Sequence, residues 1–321
     1  MNVLITGAGG FLGRKLALSI AADPVIRGRP VTGLTLIDLA EPGPLEAPLP
    51  VTRRALDISY GPAVLALFGE GFDAVFHLAA AVSGACEADF DLGMRVNLFG
   101  TLHLLEAARA SRRNPVFVAA SSWAAHGGEA PELVRDDTPA NPQTSYGAQK
   151  VIGEYLVTDF SRKGFLDGRA LRLPTVSIRP GRANLAASSF MSSIFRDTLE
   201  GRSANCPVGR DFPVWHSAPR TVIRNLRHAA EIPAAAWGTN RALNLSGRTD
   251  TIGEMIAAMT RVAGPEAEAR ITWDRDPVVE PIVKGWRAHC DPARALALGF
   301  TADRSFEDSV RWFLEDDIAR G

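Results

Sequence analysis

Cysteine is scarce in this chain, and its three residues, Cys86, Cys206 and Cys290, lie far apart with no C-x-x-C pair among them. That argues against a disulfide framework and against a cysteine zinc site, and it fits a reducing compartment. The six histidines show no H-x-x-x-H spacing, and no metal is expected. Charge of one sign is also lacking: the formal net charge is -1 and no run of basic residues stands out. Neither nucleic acid nor an anionic membrane is therefore expected as a partner. No apolar run approaches the roughly 18 residues of a membrane span. The first one, "VLIT", begins at Val3 and passes at once into glycines, leaving no room for the charged and apolar regions of a secretion signal. A cytoplasmic protein is expected. Tyrosine and lysine are sparse as well, with three and four residues. Against that background Tyr146 and Lys150 in "SYGAQK" stand out, because residues four apart share one face of a helix.

What is abundant is the texture of a globular α/β chain. Of 321 residues, 46% are hydrophobic and 22% charged, enough to build one large domain or two ordinary ones. Short β-branched runs, "NVLIT", "LTLID", "VTRRAL", "DAVFHLA", "PVFVAAS" and "LRLPTVSIRP", alternate with helical patterns such as "FLGRKLALSIAA", "GPAVLALFGE", "LFGTLHLLEAARAS" and "YGAQKVIGEYLVTDFSRK". This alternation predicts a Rossmann-type doubly wound parallel sheet. "LAEPGPLEAPLP", with four prolines, reads as a surface connection. After Pro180 the pattern becomes mixed, with helix starts at Thr251, where Glu254 completes a capping box, and near Ser305. We therefore expect a Rossmann domain over 1–180 and a smaller mixed α/β substrate domain over 181–321, some of whose segments return to the first. The Asn-Leu-Ser stretch at Asn244 is read as a chance match to a glycosylation signal.

"NVLITGAGGFLGRKLA" places Gly7, Gly10 and Gly13 between the first strand and the first helix. Glycines there allow a tight turn and close backbone approach, and a helix N-terminus offers unpaired N–H groups to a pyrophosphate. Asp38 closes "LTLID", where a carboxylate can accept from the ribose hydroxyls of NAD and repel the extra phosphate of NADP. Leu39 and Ala40 follow rather than a basic residue, so NAD is the expected cofactor, although Arg53 and Arg54 could serve a 2′-phosphate.

The glycine turn, "HLAA" after the fourth strand, "SS" after the fifth and Tyr-x-x-x-Lys opening the next helix together resemble the extended short-chain dehydrogenase/reductase family over nearly the whole chain. The resemblance implies catalytic roles for Ser122, Tyr146 and Lys150, with Ser121 as the alternative serine. It implies cofactor contacts from Gly7, Gly10, Phe11, Leu12, Gly13, Asp38, Asp57, Ile58, Leu78, Ala79, Ala80, Asn97, Tyr146 and Lys150. A homodimer through the helices beginning near Met94 and Tyr146 is also implied, while the sequence itself leaves the oligomeric state open. Independent of the family, a tyrosine with a pKa near 10 is a poor base at neutral pH. A nearby ammonium and a positive nicotinamide favour its phenolate, and Ser122 can bridge to the reacting oxygen. His77, at the strand end, reads as structural.

Family members acting on nucleotide sugars commonly carry Val-Tyr-Gly after the serine and Asn-x-Tyr-Gly after the sixth strand. This chain has Trp123 and His126 in "SSWAAHGG" and then "RPGRANLAASSF". The stretches "HLAAAVSGACEADFDLGMRVN", "RPGRANLAASSF" and "PVWHSAPR" resemble instead the branch that oxidises the C2 hydroxyl of a four-carbon sugar acid with NAD. Such a substrate needs a cation for its carboxylate and hydroxyl partners, and Ser83, Ser122, Tyr146, Arg182, Ser188, Ser189 and Trp215 are the available pieces. Arg182 is the expected carboxylate ligand; Arg179, inside the strand, is expected to make a structural pair, and Arg220 is harder to place. The alternatives are a nucleotide-sugar epimerase or dehydratase that retains its NAD, a uronate dehydrogenase, or an NAD-sensing binding protein.

Overall fold

A computed structural model of the chain describes residues 1–181, 187–277, 283 and 285–319. Seven parallel strands form the main sheet: β1 Asn2–Thr6, β2 Gly33–Asp38, β3 Val51–Ala55, β4 Ala74–His77, β5 Val116–Ser122, β6 Asp167–Leu173 and β7 Ala242–Asn244. Their spatial order is β7-β6-β5-β4-β1-β2-β3, so the chain winds outward from β1 in both directions. Helices α1 Phe11–Ala22, α2 Gly61–Leu67, α3 Thr101–Ser111, α4 Ser145–Arg162, α5 Phe190–Leu199, α6 Pro219–Glu231, α7 Ile252–Ala263 and α8 Phe306–Phe313 complete the main elements.

The strands read as near-continuous apolar runs because both faces of the sheet are covered. Alternate residues go to opposite sides. Val3 and Ile5 of β1 join Leu16, Ile20, Val222 and Leu226 of α1 and α6, while Leu4 between them joins Val64, Leu104, Leu105 and Val157 of α2, α3 and α4. A third cluster gathers Ile178, Phe190, Ile194, Phe195, Ile252, Met255, Phe306 and Val310 around α5, α7 and α8. The C-terminal half does not stay apart from the sheet: α6 packs on α1, and β7 pairs with β6 in the register Leu243 to Leu171.

One expected strand is divided. "LRLPTVSIRP" reads as a single run, but β6 stops at Leu173, and Thr175–Val176 pair with Pro213–Ser217 in a separate three-stranded sheet with Arg248–Thr251. Pro174 stands at the break, where a residue without an N–H cannot continue the ladder. The helix expected near Met94 begins there as a π-helical turn over Met94–Gly100 and runs into α3. At α7, Thr251 Oγ1 accepts from the Glu254 amide and the Glu254 carboxylate accepts from the Thr251 amide, the reciprocal cap its sequence predicts.

Candidate active site

In an open parallel sheet the loops leaving the C-terminal strand ends meet on one edge. Five such loops assemble the site. After β1, Gly7 adopts φ +72° and the Gly10 amide donates back to the Gly7 carbonyl at 3.1 Å. A Cβ on Gly7 would stand 2.6 Å from the Ala79 nitrogen, and one on Gly13 would stand 2.1 Å from the Gly7 carbonyl oxygen. The turn is therefore in backbone contact with the Leu78–Ala80 loop leaving β4 and with its own helix, and no larger residue fits. Gly10 caps α1 with no side-chain hydrogen bond, and no acidic residue lies in the first turn, where Phe11 and Leu12 open the helix. The positive end of the helix is thus open to an anion, and the cradle fits the pyrophosphate of a dinucleotide.

At the end of β2, the Asp38 carboxylate accepts from the Gly9 amide at 2.9 Å and from the Leu39 amide at 2.7 Å. This fixes it beside the glycine turn. Arg53 lies 3.4 Å from Glu41 and Arg54 pairs with Glu70, so each has a carboxylate of its own. Beyond β3, Asp57 is exposed and accepts from the Ser59 amide at 2.8 Å. The Ile58 side chain is buried against Gly100 in the core.

Asn97 lies in the π-helical turn, buried, with both amide atoms in use. Its oxygen accepts from the Ala81 amide at 2.8 Å, and its nitrogen donates to the Ala81 carbonyl at 3.1 Å and to Gln149 at 3.0 Å. The side chain acts by holding the loop that follows Ala80. His77 sits between Thr6 (2.8 Å) and Thr101 (2.9 Å), and burial, followed by the charge of Lys150, pushes its pKa down to about 3. A neutral imidazole bracketed by two hydroxyls is a structural group.

The two serines ending β5 diverge, as successive strand residues must. Ser121 donates to Glu154, which is paired with Arg172 at 2.7 Å inside the core. Ser122 Oγ accepts from the Ala124 amide at 3.1 Å, and its hydroxyl pulls the Tyr146 phenol towards its charged form. Tyr146 and Lys150 enter on α4, whose first turn is capped by Thr144. Burial pushes Tyr146 up to about 12, against the pull of Ser122 and of the positive charge of Arg179. Burial pushes Lys150 down to about 8; its ammonium donates to the Ala120 carbonyl at 2.9 Å.

Of the substrate candidates, Ser83 begins a short helix, Ser83–Ala88, that is tied to α4 where Glu87 accepts from the Ser145 amide at 2.7 Å. Trp215 is buried, its ring 5.8 Å from that of Trp123. Ser188 is engaged by Arg179, and Arg220 is paired with Glu315 and Asp316. Arg182 lies outside the described residues. His126 is turned into the core against Asn244 and Arg172, and burial pushes it down to about 4. The buried Glu154–Arg172 pair was not anticipated. Its signal was present: Glu154 lies four residues beyond Lys150 on the same face of α4.

Residues 3–241 match the model of the NAD dependent epimerase/dehydratase family. The chain is 46% identical to the D-erythronate dehydrogenase of Cupriavidus necator, with 98% of each chain covered. It is 40% identical to the D-erythronate dehydrogenase of Haemophilus influenzae, covering 99% of this chain and 100% of the relative. Among solved structures, one described as a nucleoside-diphosphate-sugar epimerase from Agrobacterium tumefaciens is 40% identical. It superposes with a TM-score of 0.95 over 100% of this chain and 95% of the other.

Proposed function

The chain belongs to the NAD dependent epimerase/dehydratase family, and from that premise we propose that it oxidises the C2 hydroxyl of D-erythronate to the 2-oxo acid. The observation that carries this reading is Ser122 at the end of β5 with Tyr146 and Lys150 entering on the first turns of α4, in a chain that aligns end to end with two D-erythronate dehydrogenases. NAD supplies the two-electron acceptor, which takes the C2 hydrogen as hydride. Tyr146, as phenolate, takes the hydroxyl proton; Ser122 holds the same oxygen, so the C2–O bond becomes a carbonyl while one hydride and one proton leave. Lys150, held by Ala120, places an ammonium at the base of the site.

In this reading the turn from Gly7 to Gly13, with Phe11 and Leu12 opening α1, cradles the pyrophosphate. Asp38 meets the adenosine ribose, Asp57 and Ile58 lie towards the adenine, and Leu78, Ala79 and Ala80 line the path to the nicotinamide. The part of the chain up to Pro180 serves the cofactor. The later part serves mainly the substrate, apart from α6 and β7, which belong to the sheet. Two free surfaces support a homodimer: Phe99 on the π-helical turn and Ile152 and Tyr155 on α4 are 45%, 42% and 70% exposed on helices that pack side by side. The three cysteines are free and buried, which suits a cytoplasmic location.

The name of the Agrobacterium structure raises an epimerase as the second reading. The two differ in what happens to the cofactor. Purified protein mixed with D-erythronate and NAD should form NADH in proportion to the acid consumed. Conversion of a nucleotide sugar with no net NADH, and no reaction with C4 to C6 aldonates, would overturn the proposal.

A further inference from the structure

A buried or half-buried guanidinium normally brings its own anion, because an unpaired charge largely away from water is costly. Three arginines here follow that rule. Arg169 is paired with Asp167 at 2.6 Å, Arg172 with Glu154 at 2.7 Å and Arg196 with Asp197 at 2.9 Å. Arg179 does not. Among the described residues its side chain meets neutral groups: Nε donates to Ser192 Oγ at 3.3 Å, and Nη2 faces the Ser188 carbonyl at 3.3 Å and Ser188 Oγ at 3.4 Å. These serines, at the start of α5, fix the fork in place without neutralising it. Among the described residues its charged neighbour, Arg196 of α5, is of the same sign and donates to the Arg179 carbonyl at 3.3 Å.

The place of this residue matters as much as its charge. Arg179 follows the Thr175–Val176 strand, anchored where the Ser177 amide donates to the Ser217 carbonyl at 3.1 Å and where the Ser177 hydroxyl donates to the Met191 carbonyl at 2.7 Å. Leu173, at the end of β6, stands opposite Ser122 in the sheet register, so the segment that carries Arg179 leaves the same strand edge as the serine, and its charge favours the Tyr146 phenolate. A 2-hydroxy acid has its carboxylate bonded directly to the carbon that loses hydride. The cation that holds that carboxylate must therefore stand close to the group that takes the hydroxyl proton.

We propose that Arg179 is the carboxylate-binding residue of the site, and that it restricts the enzyme to acids whose carboxylate is adjacent to the reacting carbinol. This rests on the dehydrogenase reading above. The planar fork can take a carboxylate through two parallel hydrogen bonds, and its two serine partners hold it in the orientation that turns the C2 hydrogen one way. Acids whose carboxylate is remote from the oxidised carbon, such as uronates reacting at C1, place their charge beyond its reach.

The test is a titration of the NADH complex, followed by calorimetry, with D-erythronate and with its uncharged amide. Arg179→Ala should weaken D-erythronate binding roughly 10- to 150-fold, the range of a charge-assisted contact, while leaving the amide and NADH unchanged. Arg179→Lys should recover part of the loss and serves if the alanine variant does not fold; Arg182→Ala should bind as the wild type does. Unchanged D-erythronate binding in a folded Arg179→Ala protein overturns the proposal, as does an equal loss for acid and amide. So does a wild-type complex that binds none of the C3 to C5 2-hydroxy acids. Wild-type protein that binds D-erythronate through Arg179 without turning it over would leave this assignment standing and remove the dehydrogenase reading alone.

Discussion

Lys150 lies with its ammonium 5.6 Å from the centre of the Tyr146 ring and is tethered to the Ala120 carbonyl rather than to the phenol. Burial acts on the two in opposite directions, up to about 12 for the phenol and down to about 8 for the ammonium. Each shift disfavours the charged form because each charge is taken out of water, yet at about 8 the lysine still carries its proton at neutral pH. In the protein alone, therefore, the tyrosine is set as an acid, and the positive charge of a bound cofactor acts against that shift.

In the proposed mechanism Tyr146→Phe removes the proton acceptor while keeping the ring and its packing. The variant should bind NAD within a few-fold of wild type and lose at least the ~10²–10⁴ in kcat typical of a general acid or base. Single-turnover absorbance with tight-binding measurements of NAD checks both halves. Oxidation within a few-fold of wild type would remove Tyr146 from the chemistry.

The pH profile follows from the direction of the Tyr146 shift. A phenol pushed up towards 12 is protonated at neutrality, so the fraction of active phenolate grows as pH rises. The logarithm of kcat/KM for oxidation should climb from pH 7 to pH 9 with a slope approaching one, while the reverse reduction, which needs the phenol, should not gain. A flat oxidation profile would mean that bound NAD has already ionised the group.

Asp38 is held by two backbone amides beside the glycine turn, while Arg53 and Arg54 are occupied by Glu41 and Glu70. Wild-type enzyme should prefer NAD, and Asp38→Ala should shrink the ratio of kcat/KM for NAD over NADP by roughly tenfold or more as a like-charge contact disappears. Comparable turnover with both nucleotides before the substitution would refute the role given to Asp38.

Glu154 neutralises Arg172 in the core, where both are nearly solvent-free. Glu154→Ala leaves a buried guanidinium without its partner and should cost about 3–5 kcal/mol of stability, read as a shift in the urea midpoint with an unchanged slope. A loss below about 1 kcal/mol would show that water or a neighbour replaces the carboxylate.

Much of this molecule is legible in one dimension because its signals are local. A strand, a glycine turn and an amphipathic helix follow one another within "NVLITGAGGFLGRKLA", and the chemistry of a phosphate cradle depends on backbone conformation and a helix end, both set by neighbours in sequence. The Tyr146–Lys150 spacing and the Thr251–Glu254 cap belong to the same class. The break at Pro174 was also visible in principle, since the missing N–H is a property of the residue itself; the length of the apolar run concealed it.

Contacts between distant segments were not legible. No pattern along the chain distinguishes Ser121 from Ser122; their roles separate when the pleat of β5 turns one towards Glu154 on α4 and the other towards Tyr146. Arg179 illustrates the same limit. From its position in an apolar run a structural ion pair was expected, yet the fold brings it Ser188 and Ser192 in place of a carboxylate. The cost of a buried charge depends on which groups surround it in space. Sequence by itself determined the cofactor fold and the shared helix face of Tyr146 and Lys150, because periodicity, turn chemistry and helix spacing act over a few residues. Only the tertiary structure decided which charges are neutralised and which are left for a ligand, because desolvation and pairing are set by segments that meet only after folding.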